Sequence, residues 1–349
     1  MVRPACIALA AAVAVAAAAP TAQAAKPRVV DFELRPAPLH RAATGPFTSP
    51  PLRAGRRFNL VGLRWASARA PLVSLRVRRN GGRWRRWQRV ASSGDHAPDP
   101  GSGEHGRGGG ESDPLWARKA DWVQYRLSRP VDGLVLHFVR ATSAARSVRA
   151  ASTEPQPQIQ PRSAWDPGGE CKPRAAPSYG EVRVAFVHHT AMASAYSPQD
   201  VPGIILSICH LHRDSNGWND IGYNFVVDRY GTLWEARAGG IDRAVIGAQA
   251  VGFNSQSTGI ANLGTFDSQP QTDAALSAMA HFIRWKLPLH GQPTAGKVTL
   301  TSAGGGDDRW PAGQAVQFDR ISGHRDADNT DCPGDALYAQ LPDLRNRVA

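Results

Sequence analysis

Three side chains with metal-binding atoms occupy positions from which a fold can bring them together. His324 and Cys332 are eight residues apart and are joined by a polar, turn-rich segment. His188 ends the apolar run 182–188, which is typical of a buried strand whose last side chain emerges at the rim of a sheet. Two imidazoles and a thiolate suit zinc and leave a fourth position for water, as in catalytic zinc sites. Spacing alone leaves ordinary core or surface roles open for all three.

The cysteine count favours a special role for Cys332. The chain has four cysteines, and Cys6 lies in a segment that we expect to be removed. For a secreted protein, the simplest arrangement of the other three is a disulfide between Cys171 and Cys209, with Cys332 left over. A thiol outside the cell is prone to oxidation unless a metal holds it as the thiolate.

The N-terminus predicts secretion. Arg3 precedes an alanine-rich apolar run over 7–19, and Ala22-Gln23-Ala24 follows it as a typical cleavage site. Residues 1–25 are therefore predicted to form a signal peptide. This run is short for a bilayer crossing, and no second apolar run of about 18 residues appears, so we expect no integral membrane span.

The segment 26–141 is predicted to be a small all-β sandwich domain. Its apolar and polar residues alternate with the period of a strand, and Asn80-Gly81-Gly82 is a hairpin signal. The runs with this period are 58–63, 73–77, 122–127 and 134–139. The Gly-, Ser- and Asp-rich segment 92–113 is expected to be a long, mobile loop.

The remaining chain is predicted to be a proline-containing linker, 142–162, followed by an α/β domain over 163–349 with a mixed central β-sheet flanked by helices. Predicted strands are 182–188, 224–228, 232–236 and 257–263. One helix should begin near Ser197, a second should span 273–286 with Thr272 as its cap, and a last helix should lie over 337–348.

The segment 163–349 resembles the peptidoglycan recognition protein and type-2 N-acetylmuramoyl-L-alanine amidase family. The motifs that carry the resemblance occur in the family's order and cover just over half the chain. They are Val187-His188-His189-Thr190, the Gly-Trp-Asn-Asp-Ile-Gly-Tyr-Asn-Phe run at 217–225, the segment 228–237, Gly252-Phe253-Asn254, and the block from His324 to Cys332.

The resemblance implies roles for individual residues. His188, His324 and Cys332 match the family's zinc ligands, so the implied cofactor is Zn²⁺. Relatives that only recognise peptidoglycan typically lack one ligand, often the cysteine, whereas this chain has all three. Tyr223 is implied to act on the activated water or the developing oxyanion, and Thr330 matches a Thr or Lys of the catalytic members.

The activity implied by the resemblance is hydrolysis of the amide between the lactyl group of N-acetylmuramic acid and L-alanine in peptidoglycan. The expected protein is a monomer, secreted and associated with the cell wall, with the muropeptide stem as its partner. One alternative is a recognition module that binds wall fragments without cutting them. Another is an adhesin or wall anchor in which the N-terminal domain dominates.

Six residues are implied to line the substrate groove: His189, His212, Trp218, Arg237, Gln249 and Asn254. Structural roles stay open for several of them. His189 can be a packed neighbour of the ligand, His212 a cap near a helix end, and Trp218 a core residue. Arg237 can meet a peptide carboxylate or form a plain ion pair. Gln249 departs from the family, because catalytic relatives often have a groove-facing His there.

The formal charge of +12 favours anionic partners. A basic cluster interleaved with tryptophans concentrates this charge in the N-terminal domain: Arg76, Arg78, Arg79, Arg83, Trp84, Arg85, Arg86, Trp87 and Arg89. It can bind anionic wall polymers or be a solvated strand face. Nucleic acid is not an expected partner, because no other feature of the chain supports it. His210 is expected on the surface.

Overall fold

The computed structural model describes residues 28–37, 46–67, 69–91, 96–142, 156–192, 194–306 and 308–349. The predicted signal peptide and most of the predicted linker lie outside these ranges. Among the described residues, no helix combines the length and apolarity needed to cross a bilayer.

The N-terminal part is all-β and antiparallel, which confirms the predicted fold class. Its strands join in one connected sheet in the order β1-β8-β3-β7-β4-β5, with β2 paired to β7 and β6 to β3. The strands are β1 Arg28–Leu34, β2 Phe47–Thr48, β3 Leu52–Trp65, β4 Val73–Arg78, β5 Gln88–Val90, β6 Gly110–Glu111, β7 Leu115–Leu127 and β8 Val135–Thr142. The pairing of β3 with β7 shifts register between Arg53 and Leu60, so these long strands are irregular there.

The second part has the predicted mixed sheet, in the order β16-β10-β13-β11-β12-β9. All of its pairs are parallel except β11 with β12. The strands are β9 Ile159–Gln160, β10 Val184–His189, β11 Phe225–Val227, β12 Leu233–Glu235, β13 Ser257–Asn262 and β16 Ile321–Gly323. A separate hairpin pairs β14 Lys297–Thr301 with β15 Ala315–Asp319.

One end of the predicted linker needs correction. Ile159–Gln160, which we placed in the linker, pairs in parallel with β12 and so belongs to the second sheet. Ile159 packs against the buried cluster of that sheet, and this contact outweighs the influence of the prolines that precede it.

Helices cover both faces of the second sheet. They are α1 Arg162–Trp165, α2 Val201–His210, α3 Asp273–Leu289, α4 His324–Ala327, α5 Asp335–Tyr338 and α6 Leu341–Val348. Thr272 caps α3 as predicted, because its Oγ1 accepts a hydrogen bond from Ala275 N at 3.3 Å. The predicted last helix is two short helices, α5 and α6, rather than one.

Helix α2 is shared between the two parts of the chain, and all of its residues are buried. Leu60 of β3 and Val139 of β8 lie in the same hydrophobic cluster as Ile204 and Ile208 of α2. Neighbouring residues in the same strands point the other way, into the core of the first sheet. The first sheet therefore packs directly on the second domain through one of its faces.

The predicted disulfide is confirmed. Cys171 and Cys209 are bonded, and their Cα atoms lie 6.3 Å apart. The bond joins the last turn of α2 to the segment that follows α1.

His210 is buried in the contact between the two domains, contrary to the surface position that we expected. Its Nδ1 lies 2.9 Å from Asp31 Oδ2 of β1 and 2.8 Å from Asp214 Oδ2. Burial opposes the charged imidazolium, but the hydrogen bonds with Asp214 and Asp31 outweigh burial and raise the pKa of His210 to about 9. The two carboxylates explain why a histidine is stable in this interface.

This interface predicts a pH-dependent stability. The folded-state pKa of about 9 lies above the ordinary value of 6.5. The interaction of charged His210 with Asp214 and Asp31 therefore stabilises the folded protein fully below pH 6.5. That contribution, at most about 3 kcal/mol, is lost as the pH rises through 9. Thermal melts should therefore show His210→Gln well below the wild type in Tm at pH 6 and close to it at pH 10. His281→Gln serves as the control, and a His210→Gln deficit that is the same at both pH values would contradict the prediction.

Candidate metal centre

The three predicted ligands meet at one edge of the second sheet. His188 lies at the end of β10, and His324 begins α4 directly after β16, the strand parallel to β10. Because neighbouring parallel strands end at the same edge, their terminal side chains lie side by side. The loop after α4 returns Cys332 to this edge, where Arg325 N donates to Cys332 O at 2.9 Å. Cys332 Sγ then lies 3.8 Å from His188 Nδ1.

The cluster is almost completely shielded from solvent. The exposed fraction is 0% for His188 and His324 and 3% for Cys332. Burial, followed by the neighbouring His324 and His96, holds the pKa of His188 well below its usual value. Its imidazole is therefore neutral at physiological pH, which is the form that binds a metal ion.

Each ligand imidazole is oriented by a buried partner on its far nitrogen. His324 Nε2 lies 2.7 Å from Asp328 Oδ2, and His188 Nε2 donates to Gln249 Oε1. These partners leave Nδ1 of each ring as the donor atom toward Cys332, an arrangement typical of metal-bound histidines. His189 N donates to Cys332 Sγ at 3.3 Å, which favours the thiolate.

Gln249 lies behind the metal cluster, not in the groove where we expected it. Its side chain has an exposed fraction of 0%, and its Nε2 donates to Ser257 Oγ at 2.9 Å while its Oε1 faces His188. The amide has room because Gly259 is its neighbour on β13. A Cβ at Gly259 would lie 2.6 Å from Gln249 Cδ, so a larger residue there would displace the Gln249 amide. The departure from the family therefore affects the orientation of a ligand.

A fourth histidine, His96, joins the cluster from the first domain. One donor atom from each of His96, His188, His324 and Cys332 lies within 4.8 Å of the donor atoms of the others, a set that could hold a metal ion. The ring centroid of His96 is 4.5 Å from that of His324. Sequence reasoning missed His96 because it lies far from the other ligands in a Gly-rich loop. It also missed Asp328, although its position four residues after His324 permits a contact across one helical turn.

The two predicted catalytic residues lie near different ligands of the cluster, Tyr223 near His188 and Thr330 near Cys332. The ring of Tyr223 lies 5.7 Å from that of His188 and is buried. Thr330 Oγ1 accepts a hydrogen bond from Cys332 N at 3.1 Å. Thr330, Cys332 and His189 line a cleft of about 550 Å³ between the two domains. Their positions beside the donor atoms agree with the implied roles, which stay predictions.

Four of the predicted groove residues lie together beneath the loop that carries His96. His212 accepts from Gly222 N at 3.0 Å through Nδ1, and its ring packs against Trp218 at 4.6 Å. Arg237 forms an ion pair with Glu104 of the loop. Asn254 Nδ2 donates to Ala97 O of the loop at 2.9 Å and to Asp99 Oδ1 at 2.6 Å. These four side chains are buried, and the loop covers them.

The basic cluster of the first domain is a stack of guanidinium groups on indole rings. The guanidinium of Arg76 lies 4.9 Å from the ring centroid of Trp84 and 4.5 Å from that of Trp87. The guanidinium of Arg126, on the neighbouring strand β7, lies 4.1 Å from the ring centroid of Trp87. Such cation–π contacts stabilise the sheet surface. They give the cluster a structural role, and a polymer-binding role stays a proposal.

The second domain is similar in sequence to known proteins. Peptidoglycan-recognition protein SC2 of Drosophila simulans is 30% identical over 183 residues, which is 52% of this chain and 84% of that protein. A model described as N-acetylmuramoyl-L-alanine amidase matches residues 178–335. The chain belongs to the peptidoglycan recognition protein and type-2 amidase family. The N-acetylmuramoyl-L-alanine amidase of Homo sapiens, another family member, is 31% identical over 189 residues, covering 53% of this chain and 28% of that enzyme.

The first domain has a match of its own. A model described as Rv3811 N-terminal galactose-binding domain-like matches residues 12–162. Among solved structures, Drosophila PGRP-LB is similar with 25% sequence identity and a TM-score of 0.41, covering 53% of this chain and 92% of that one. The relatives found by sequence include a protein named for recognition, that of Drosophila simulans, and one named as an amidase, that of Homo sapiens.

The orienting role of Gln249 predicts a loss of metal affinity in Gln249→Leu. This change keeps the side-chain volume but removes the acceptor for His188 Nε2, so the affinity for zinc should fall about 10- to 100-fold. Competition with a chromophoric chelator measures it. Gln256→Leu is the matched control, since Gln256 is only partly buried and donates to Thr301 O away from the cluster. Equal affinities in the two variants would remove Gln249 from the metal centre.

Proposed function

We propose that this protein is a zinc-dependent N-acetylmuramoyl-L-alanine amidase that hydrolyses the lactyl–L-alanine amide of peptidoglycan. The observation that carries the proposal is the convergence of His188, His324 and Cys332 at one buried point. Their donor atoms fit zinc, which binds imidazole nitrogen and thiolate sulfur. Membership of a family that includes amidases supports the same reaction.

The residues around the cluster account for the other needs of the reaction. Bound zinc supplies a Lewis acid and activates water near neutral pH. Asp328 and Gln249 hold the two imidazoles in one orientation, so that little reorganisation is needed during the reaction. We assign Tyr223, whose ring lies 5.7 Å from that of His188, the donation of a hydrogen bond to the oxyanion of the tetrahedral intermediate. Thr330, which accepts a hydrogen bond from Cys332 N, is assigned a supporting role beside the thiolate.

The proposed setting is extracellular, with 1–25 as signal peptide, 26–141 as an accessory domain and the segment from 163 onward as the catalytic domain. The disulfide between Cys171 and Cys209 supports an oxidising compartment. Peptidoglycan is the proposed partner of the catalytic domain. The basic cluster around Arg76 is the proposed contact for anionic wall polymers, because several of its arginines are exposed: Arg79, Arg83, Arg85, Arg86 and Arg89.

A peptidoglycan digest tests the proposed activity. Purified, zinc-loaded protein should release free muramic lactyl groups and new L-alanine amino termini, detected by mass spectrometry, and a chelator should stop the release. Absence of both products with the zinc-loaded wild type and with every variant that keeps the three ligands would overturn the proposal. Fragment binding that survives chelation, without turnover, would instead favour a recognition module.

Cys332→Ser tests the thiolate ligand. A hydroxyl is a weaker and harder ligand than a thiolate, so zinc occupancy should fall and turnover should be lost. Zinc content after dialysis and the digest together measure the effect. To show that the variant folds, its melting temperature without metal should lie near that of the metal-free wild type. Full zinc content and activity in Cys332→Ser would exclude Cys332 from the centre.

Tyr223→Phe tests oxyanion stabilisation separately from metal binding. Loss of one hydrogen-bond donor to the oxyanion should lower kcat about 10²- to 10³-fold and leave the zinc content unchanged. Tyr179→Phe is the matched control, because Tyr179 is exposed and its hydroxyl donates to Gly239 O. An unchanged kcat in Tyr223→Phe would assign this tyrosine a packing role.

A further inference from the structure

A segment of the first domain reaches the metal centre and covers the groove beside it. We call residues 96–111, between β5 and the end of β6, the plug segment. The sequence predicts a mobile loop here, but the plug segment is hydrogen-bonded to the second domain along its length. Three acidic side chains make these contacts: Asp99, Glu104 and Glu111.

Asp99 anchors the start of the plug segment. Its Oδ1 accepts from Gly252 N at 2.8 Å and from Asn254 Nδ2 at 2.6 Å, and Oδ2 accepts from Ser255 N at 3.3 Å. Asp99 is buried, and a buried carboxylate is stable only when several donors satisfy it. The second domain supplies these donors from the turn that carries Asn254, so this contact is built into the fold.

Glu104 anchors the middle of the plug segment on the groove residue Arg237. The two side chains form an ion pair, and both are nine-tenths buried or more. Glu104 Oε1 also accepts from Asn219 N at 2.8 Å. Of the two roles open to Arg237, the structure shows the ion pair within the chain, and Glu104 holds the guanidinium that could otherwise meet a carboxylate of the stem peptide. Farther along, Glu111 Oε1 accepts from Asn216 Nδ2 at 2.6 Å.

His96 closes the metal centre itself. Tetrahedral zinc places nitrogen and sulfur donors about 3.3–3.6 Å apart. The four donor atoms here lie within 4.8 Å of one another, and His188 Nδ1 lies 3.8 Å from Cys332 Sγ. The cluster therefore offers a single zinc ion four donor atoms, three nitrogens and one sulfur. Zinc held by four protein ligands has no position for water or substrate, which is the arrangement of structural sites.

We propose that His96 is a fourth zinc ligand and that the plug segment fills the substrate groove, so that the protein as folded here is a latent form of the enzyme. The identity of the excluded substrate rests on the proposed function, whereas the assignment of His96 as a fourth ligand of the metal does not. Hydrolysis then requires His96 to leave the metal and Glu104 to leave Arg237. The cleft lined by Thr330 and Cys332 remains open on the other side of the cluster.

The test compares the zinc-loaded full chain with His96→Ala and with His105→Ala. His105 is an exposed histidine of the same segment, so it is a matched control. X-ray absorption at the zinc edge should show three imidazoles and one thiolate in the wild type and in His105→Ala. In His96→Ala, a light oxygen ligand should replace one imidazole. Chelator competition should show at least a tenfold loss of zinc affinity in His96→Ala alone.

Activity gives a separate readout of the plug segment. The peptidoglycan digest should run at least tenfold faster with His96→Ala than with the wild type at saturating zinc. Glu104→Gln keeps all four ligands but removes the carboxylate charge that pairs with Arg237, so it should also speed the digest while leaving the absorption spectrum unchanged. This second variant and the wild-type spectrum decide the matter if His96→Ala does not fold.

The outcomes separate this inference from the proposed function. Two imidazoles and an oxygen ligand in the wild type, or equal zinc affinity in His96→Ala and His105→Ala, would overturn the fourth ligand. Digestion at wild-type rates by both His96→Ala and Glu104→Gln would overturn the latent form and leave the amidase activity intact. The expected spectra without digestion by any variant would keep the fourth ligand and reject the amidase.

Discussion

The parallel pairing of β10 with β16 is the constraint on which the rest of the site depends. It sets His188 and His324 side by side at one sheet edge, and the loop after α4 adds Cys332. Buried imidazoles and a thiolate are unfavourable unless each has partners, so the surrounding fold supplies Asp328, Gln249 and the backbone of His189. These contacts therefore fix the orientations of the side chains in the centre independently of a bound metal or substrate. Such preorganisation lowers the cost of rearranging an active site during a reaction.

Local patterns predicted much of the fold and the ligand set. The alternation in 58–63 and the apolar run 182–188 each became a strand, because side-chain burial is the main force that selects secondary structure. Thr272 became a helix cap for an equally local reason, a hydrogen bond to a backbone N–H three residues later. The ordered family motifs then singled out His188, His324 and Cys332, a choice that spacing alone did not make.

Contacts between distant segments escaped prediction. His96 has no spacing relation to the other ligands, and its position follows from the way the first sheet packs on α2. Gln249 contacts His188 in a space that Gly259, on another strand, leaves open because it has no side chain. His210 is buried between Asp214, four residues later, and Asp31 of the first domain, and the second of these partners is remote in sequence. In each case the deciding partner lies in a segment whose approach cannot be inferred from local periodicity.

The shared packing around α2 limits the scale of motion that can expose the groove. Leu60 and Val139 of the first sheet lie in one hydrophobic cluster with α2, and the disulfide at Cys209 ties that helix to the second domain. A swing of the whole first domain would expose this apolar surface to water. Displacing the plug segment, 96–111, breaks mainly polar contacts, those of Asp99, Glu104 and Glu111. Access to the metal is thus a matter of local opening, governed by a free energy smaller than that of global unfolding. On the proposed latent form, the first domain stays in place during opening, and the plug segment that it carries controls access to the metal.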